Sequence, residues 1–364
     1  LEKGIDGLRL DAFIHIAKAD LRQNFPVNCK DEEPVIAEPF FANLPQVQKW
    51  MRLFCEEIKQ DYPDALLLGE AASANVNLAV DYTNKNNHLM DSVITFRYFT
   101  EDQSKIDPSF LSNYQPKPLD WIKFKQNQTI WQQTLSGISK PTLYWNNHDM
   151  ARLATRIAKN DTQARSLAML MYLQCGIPII YYGEELGMRS LQFVNVNDFQ
   201  DDTVKEFVKS AEKAGVPSKE ALLMVSKTHK LPARGPMPWD NERNNGFTEK
   251  EPWIKGRKLD KVNVADEIAD DSSMFNFYKK LISLKKEQLF QEGNYYLWPT
   301  SNRSYVYERN LKDKKALIAV SLSQEPIELE VGKEFSNERV SAGHYDLVAG
   351  KLRLEPYAGV VLEN

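Results

Sequence analysis

The sequence is poor in cysteine, has no excess of positive charge and contains no long uninterrupted apolar run. Its three cysteines, Cys29, Cys55 and Cys175, are an odd number without metal-ligand spacing. That argues against a disulfide scaffold and suits a reducing, cytoplasmic compartment. Lysine and arginine number 46 against 50 acidic residues, a net charge of −4. No basic stripe is available to neutralise phosphates, so neither nucleic acid nor a membrane surface is an expected partner. The most apolar stretch, Ser166 to Tyr182, is broken by Gln174, Gly176 and Pro178 and reads as a helix followed by a buried strand, not as a membrane span. Leu1 leads almost directly into Gly4-Ile5-Asp6-Gly7, which offers neither the basic flank nor the apolar core of a signal peptide. There is no internal repeat and no low-complexity tract.

What is present is globular. The 364 residues, 42% hydrophobic and 26% charged, are enough for one large domain and a smaller one. Short apolar runs ending in polar residues alternate with amphipathic patterns through about residue 190, as in a parallel sheet with crossover helices. Five strands are expected: Asp6 to Asp11, Ala65 to Glu70, Asp91 to Phe96, Pro141 to Asn146 and Ile177 to Tyr181. Helices are expected over Leu44 to Asp61, with Val47, Trp50, Met51, Phe54 and Ile58 as its apolar side, and over Thr162 to Gln174 with Asp161 as N-cap. Residues from about 191 to 270 break the rhythm with helices over Phe199 to Ala214 and Ser218 to Lys227 and an irregular aromatic-rich segment, which resembles an extended βα loop. A helix over Ser272 to Glu287, with Phe275, Tyr278, Leu281, Ile282 and Leu284 on its apolar side, leads into short alternating strands. Those strands, Tyr305 to Arg309, Ala316 to Ser321, Ile327 to Val331, Tyr345 to Leu347 and Gly359 to Leu362, form a small antiparallel β domain. The expected division is 1–290 and 291–364.

Three carboxylates stand at strand ends. Asp11 ends Gly-Ile-Asp-Gly-Leu-Arg-Leu-Asp, Glu70 ends Leu-Leu-Leu-Gly-Glu, and Asp149 closes Tyr-Trp-Asn-Asn-His-Asp. Hydrolysing a glycoside with retention needs one carboxylate to attack the anomeric carbon and one carboxylic acid to protonate the leaving oxygen, about 5–5.5 Å apart. Barrel strands with converging ends meet that geometry. With about 30 residues per βα unit, the gap from Glu70 to Asp149 leaves room for the strand at Asp91 between them.

In order and context these segments resemble the α-amylase superfamily, glycoside hydrolase family 13, which carries them after its fourth, fifth and seventh barrel strands. The resemblance makes Asp11 the nucleophile, Glu70 the general acid/base and Asp149 the acid that supports the distorted sugar ring. Arg9 resembles the arginine that keeps the nucleophile ionised. His148 resembles the histidine that binds hydroxyls of the reacting glucose. Ile-Tyr-Tyr-Gly-Glu-Glu-Leu-Gly-Met (Ile180 to Met188) and Ala-Arg-Gly-Pro-Met-Pro-Trp-Asp (Ala233 to Asp240) resemble segments of the α-glucosidase and oligo-1,6-glucosidase group. Arg234 stands where that group has an arginine near the reacting glucose, while Gly235 and Pro238 replace its usual Thr and Gln. Lys230 stands where an arginine is common, and a lysine cannot make the bidentate contact of a guanidinium. Glu184 and Glu185 are read as structural, because the two-carboxylate chemistry is already assigned.

The resemblance implies a partial TIM (β/α)8 barrel, strands four to eight, followed by an antiparallel β-sandwich domain. Three βα units are expected to precede Leu1, together with an inserted domain, so the partners are an oligosaccharide substrate and that N-terminal segment. An open sheet edge would otherwise be exposed. The chemistry requires no cofactor and no metal, and any calcium site would belong to the preceding segment. The implied activity is a retaining exo-acting α-glucosidase. Oligo-1,6-glucosidase, trehalose-6-phosphate hydrolase, glucosyl transferase or isomerase, and a non-catalytic amylase-like binding protein are the alternatives. In this group a valine after the nucleophile tends to accompany α-1,6 activity. This chain has Ala12 there, which points to α-1,4 glucosides, with His15 one helical turn on as a further aglycone contact or a packing residue.

Overall fold

The computed structural model describes residues 1–25 and 36–364; Cys29 lies outside them. The chain divides into two compact units, residues 1–100 with 123–142, and residues 101–122 with 143–364.

The first unit is built on a parallel three-stranded sheet. β1 (Gly7–Leu10), α1 (Pro45–Asp61), β2 (Leu66–Glu70), α2 (Val76–Thr83) and β3 (Ser92–Ile94) follow one another, and the sheet order is β1-β2-β3. Pro45 occupies the first turn of α1, where its missing N–H costs nothing. The buried face of α1 is Val47, Met51 and Cys55; Trp50 and Phe54, expected on that face, are exposed. The apolar residues of this helix run around more of its surface than one neighbouring layer covers. Asn75 caps α2 by accepting the Leu78 N–H at 3.0 Å. A further helix, α3 (Trp121–Thr134), had no counterpart in the sequence reading and has a weak apolar stripe.

The second unit takes in residues 101–122 and resumes at Leu143 in β4 (Thr142–Leu143), where the Leu143 carbonyl accepts the Ile179 N–H at 2.8 Å and joins the strand to β5 (Ile177–Pro178). All five expected parallel-type strands are present, each shorter than its apolar run. Between β4 and β5 lie a single turn, α4 (Leu153–Arg156), and α5 (Asp161–Tyr172). The cap of α5 is Asn160, not Asp161: its side-chain oxygen accepts the Gln163 N–H at 2.8 Å. Next come α6 (Asp202–Lys213) and α7 (Ser218–Thr228), the two helices expected within the extended βα loop, the first starting three residues later than expected. They share an apolar core of their own, in which Val204, Phe207, Ala211, Ala221 and Val225 pack with Phe110, Phe199 and Leu231. After α8 (Val264–Ala269) comes α9 (Met274–Lys285), capped by Ser273. It buries Met274, Phe277, Tyr278, Leu281 and Leu284, whereas Phe275 and Ile282 lie off that face, a rotation of the expected stripe by about one position.

A short helix, α10 (Gln288–Glu292), leads into an antiparallel sandwich. Its strands are β6 (Asn294–Leu297), β7 (Ser304–Leu311), β8 (Lys314–Ser321), β9 (Ile327–Glu330), β10 (Asn337–Ala342), β11 (Tyr345–Val348), β12 (Lys351–Leu354) and β13 (Gly359–Glu363). One sheet runs β10-β13-β8-β7-β6 and the other β11-β12-β9. Val306, Leu317, Ala319, Leu352, Leu354 and Val360 fill the space between. Polar anchors tie the sandwich to α5: Ser166 Oγ donates to the Tyr357 carbonyl at 2.7 Å and buried Arg309 donates to the Leu173 carbonyl at 2.6 Å. No helix of the described residues is long and apolar enough to cross a membrane.

Candidate active site

The expected site residues form two clusters, one in each unit. In the first, β1 and β2 pair in parallel with Leu10 opposite Gly69. The next position on each strand is therefore Asp11 beside Glu70, and side-chain alternation puts Arg9 on the same face. Gly69 permits the pairing to be backed by a ring, since a Cβ there would lie 2.6 Å from Phe13 Cε1. Arg9 donates to Asp11 Oδ1 at 2.5 Å through Nη1 and to Glu70 Oε2 through Nη2. The Asp11 side chain is 72% exposed and that of Glu70 12%. Burial pushes the Glu70 carboxyl above its ordinary value, hydrogen bonding with Asp11 pushes the same way, and the Arg9 charge opposes both. One carboxyl is thus open to solvent, and its neighbour is disposed to keep a proton.

Ala12 follows at φ 43°, ψ 30°, in the left-handed region, and turns the chain from β1 into a 3-10 turn over Phe13–His15. His15 sits at the end of that turn with Nδ1 3.0 Å from the Phe41 carbonyl and its ring against the Phe41 ring.

In the second cluster the Asn147 side chain accepts the Asp149 N–H at 2.8 Å, an Asx turn that fixes the direction of Asp149. His148 Nε2 lies 3.1 Å from Asp149 Oδ2. Arg234 Nη2 donates to Asp149 Oδ1 at 3.0 Å and Arg234 Nε to the His148 carbonyl at 2.7 Å. Lys230 Nζ is 3.6 Å from the same Asp149 oxygen, a single-point contact beside the two of Arg234. Both cations come from one short segment, the 3-10 turn over Leu231–Arg234 and the residue before it. Beside Arg234 a cleft of about 480 Å³ is lined by Tyr182, Glu185, Trp239, Phe247 and Trp253, a size suited to a small ligand.

Glu184 is buried, with Tyr172 and Tyr278 donating their hydroxyls to Oε1. Burial pushes its carboxyl up to about 7, against the pull of both tyrosines. Its Oε2 has no hydrogen-bond partner among the described residues, and a void of about 10 Å³ adjoins it. Two residues near the second cluster were not singled out from the sequence, Asp201 and His229. Their hydrogen bond spans 28 positions at 3.2 Å, and the only local sign was the place of His229 before Lys230.

A structure described as a family GH13_31 enzyme is 64% identical and superposes over 100% of this chain and 65% of its own, with a TM-score of 0.90. The trehalose-6-phosphate hydrolase of Bacillus licheniformis is 26% identical, with a TM-score of 0.84 over 100% of this chain and 66% of its own. An oligo-1,6-glucosidase of Bacillus cereus is 29% identical over 100% of this chain and 66% of its own length. The chain therefore spans just under two thirds of these relatives. They share the α-amylase fold, a TIM barrel followed by an antiparallel β domain. Residues 1–293 match the family described as alpha amylase, catalytic domain, and this chain belongs to that family.

Proposed function

We propose that the whole protein is a retaining, exo-acting α-glucosidase that releases glucose from short α-glucosides of the maltodextrin type. The observation that carries this reading is Arg9 bridging Asp11 and Glu70 at the ends of adjacent parallel strands. The exposed Asp11 attacks the anomeric carbon while Glu70, whose carboxyl burial shifts towards the protonated form, gives its proton to the leaving oxygen. Glu70, now ionised, takes a proton from the water that attacks the glucosyl–enzyme ester, which restores Asp11 and keeps the configuration. By the family resemblance Asp149 is the acid that supports the distorted sugar ring, and its carboxylate is held by His148, Lys230 and Arg234. The relatives that bear the names oligo-1,6-glucosidase and trehalose-6-phosphate hydrolase support glycosidic bond cleavage. The former name also favours a second reading, α-1,6 specificity, against the small Ala12. We further propose that the barrel is completed by residues outside this chain, with a division from the β domain near residue 290, and that the protein acts in the cytoplasm.

Proton NMR of the first-formed sugar tests the reaction. α-Glucose from maltose, abolished in Asp11→Asn, is expected; initial β-glucose, or near-wild-type turnover in Asp11→Asn, overturns the reading. The 364-residue chain assayed by itself is expected to be inactive.

A further inference from the structure

A buried histidine, not used in the chemistry above, immediately precedes Lys230. His229 is 7% exposed, its ring set edge-on to Phe199 and tilted against Tyr114. The Leu231 N–H donates to His229 Nδ1 at 3.1 Å, so that nitrogen presents a lone pair. The proton of the neutral ring is then on Nε2, which faces Asp201 Oδ2 at 3.2 Å. Asp201 is itself anchored. It caps α6 through the Thr203 N–H at 2.9 Å and receives the Tyr114 hydroxyl at 3.2 Å. Leu231 opens the 3-10 turn that the Ala233 N–H closes on the Lys230 carbonyl at 3.0 Å. The two ends of that turn carry the cations that meet Asp149.

We propose that His229 is a positioning residue: its Nδ1 lone pair holds the Leu231 N–H, and with it the turn that presents Lys230 and Arg234 to Asp149, and a proton on Nδ1 releases that turn. The inference rests on the reading of Asp149 given above. An imidazolium carries N–H on both nitrogens, so an Nδ1–H would face the Leu231 N–H donor to donor. The groups that face the ring set where this happens. Burial lowers the His229 pKa, the Asp201 carboxylate raises it, and Lys230 and Arg234 lower it, for a net shift downward. Although burial alone would raise Asp201, the hydrogen bonds from Thr203, His229 and Tyr114 hold it at about 2, so it stays ionised while the ring titrates. The turn is therefore held through neutral pH and released only below the ordinary histidine range.

The test uses the whole protein. In wild type, the nitrogen-15 shift of His229 Nδ1 at neutral pH is expected to be that of an unprotonated acceptor, and the Leu231 amide signal is expected to move with its titration. His229→Ala is expected to lower kcat by about tenfold to a hundredfold, the cost of misplacing groups at a reacting centre. His229→Asn offers the Leu231 N–H a side-chain oxygen and cannot titrate, so it restores most of kcat and removes the acidic limb due to this group. Asp201→Asn keeps a helix cap and removes the charge that favours imidazolium, so the limb moves to lower pH. A protonated Nδ1 at neutral pH overturns the proposal, as does His229→Asn behaving like His229→Ala with the acidic limb in place. If the whole protein hydrolyses no α-glucoside, the functional reading fails, and the NMR titration still decides whether His229 holds the turn.

Discussion

Leu191 fills the space that a side chain on Gly235 would need: a Cβ at Gly235 would lie 2.8 Å from Leu191 Cδ1. Leu191 is buried, and its N–H donates to the Pro232 carbonyl at 2.9 Å, inside the turn that ends in Arg234. Where the group this chain resembles has threonine, the chain has glycine with a leucine packed over it. Gly235→Thr is therefore expected to cost about 1–3 kcal/mol of stability through overpacking and to lower kcat/KM by disturbing Arg234. Adding Leu191→Ala should relieve the clash. In urea unfolding the double variant is expected to be more stable than the sum of the two single losses, and strict additivity would show that the two positions do not compete for space.

Glu70 must carry a proton to act as the acid, so activity is expected to fall as pH rises through its folded-state pKa. Arg9 is the charge that lowers that value against burial and Asp11. Removing it in Arg9→Met leaves Glu70 higher still, and the alkaline limb of kcat/KM is expected to move to higher pH. A limb that stays in place, or moves down, would mean that another group governs it.

Glu184 predicts a pH dependence of stability unrelated to turnover. Its folded value of about 7 exceeds the ordinary 4.5, so between those pH values the folded state holds a proton that the unfolded chain has released. The stability this contributes is complete below about pH 4.5 and is lost as pH rises through 7, by roughly 3 kcal/mol in all. Glu184→Gln keeps an acceptor for Tyr172 and Tyr278 and does not titrate. Its melting temperature is expected to decline less than that of wild type from pH 5 to pH 8, and parallel curves would contradict this.

Ala12→Val is expected to shift cleavage from maltose towards isomaltose by about tenfold, the scale of one or two methyl contacts in a substrate pocket. The structure adds a cost. Ala12 has φ 43°, where a β-branched side chain is disfavoured, so the variant is expected to lose about 1–3 kcal/mol. Ala12→Gly removes the strain without filling the pocket and is expected to be more stable than Ala12→Val. Equal thermal stability of the two variants would show that the backbone there adapts without penalty.

Acids beside short apolar runs are local features, and Asp11, Glu70 and Asp149 could be named as candidates because each closes a recognisable segment, although Asp149 lies six residues beyond the end of β4. The strand periods and most helix spans were legible for the same reason, since propensity and pattern act over a few residues. The β domain was only partly so. The short, polar Asn337–Ala342 and Lys351–Leu354 earn their strand state from pairing with β13 and with β9 and β11. Which faces of α1 and α9 are buried depended on what packs against them, as the exposure of Trp50 and Ile282 shows. Register is likewise tertiary: Leu10 opposite Gly69 sets Asp11 beside Glu70, and lets Arg9 reach a carboxylate 61 positions away. His229 and Asp201 meet only because α6 and α7 fold back on a shared core. Contacts of that span are set by how the chain closes its loops and fills its cores, and no window of the sequence contains both partners.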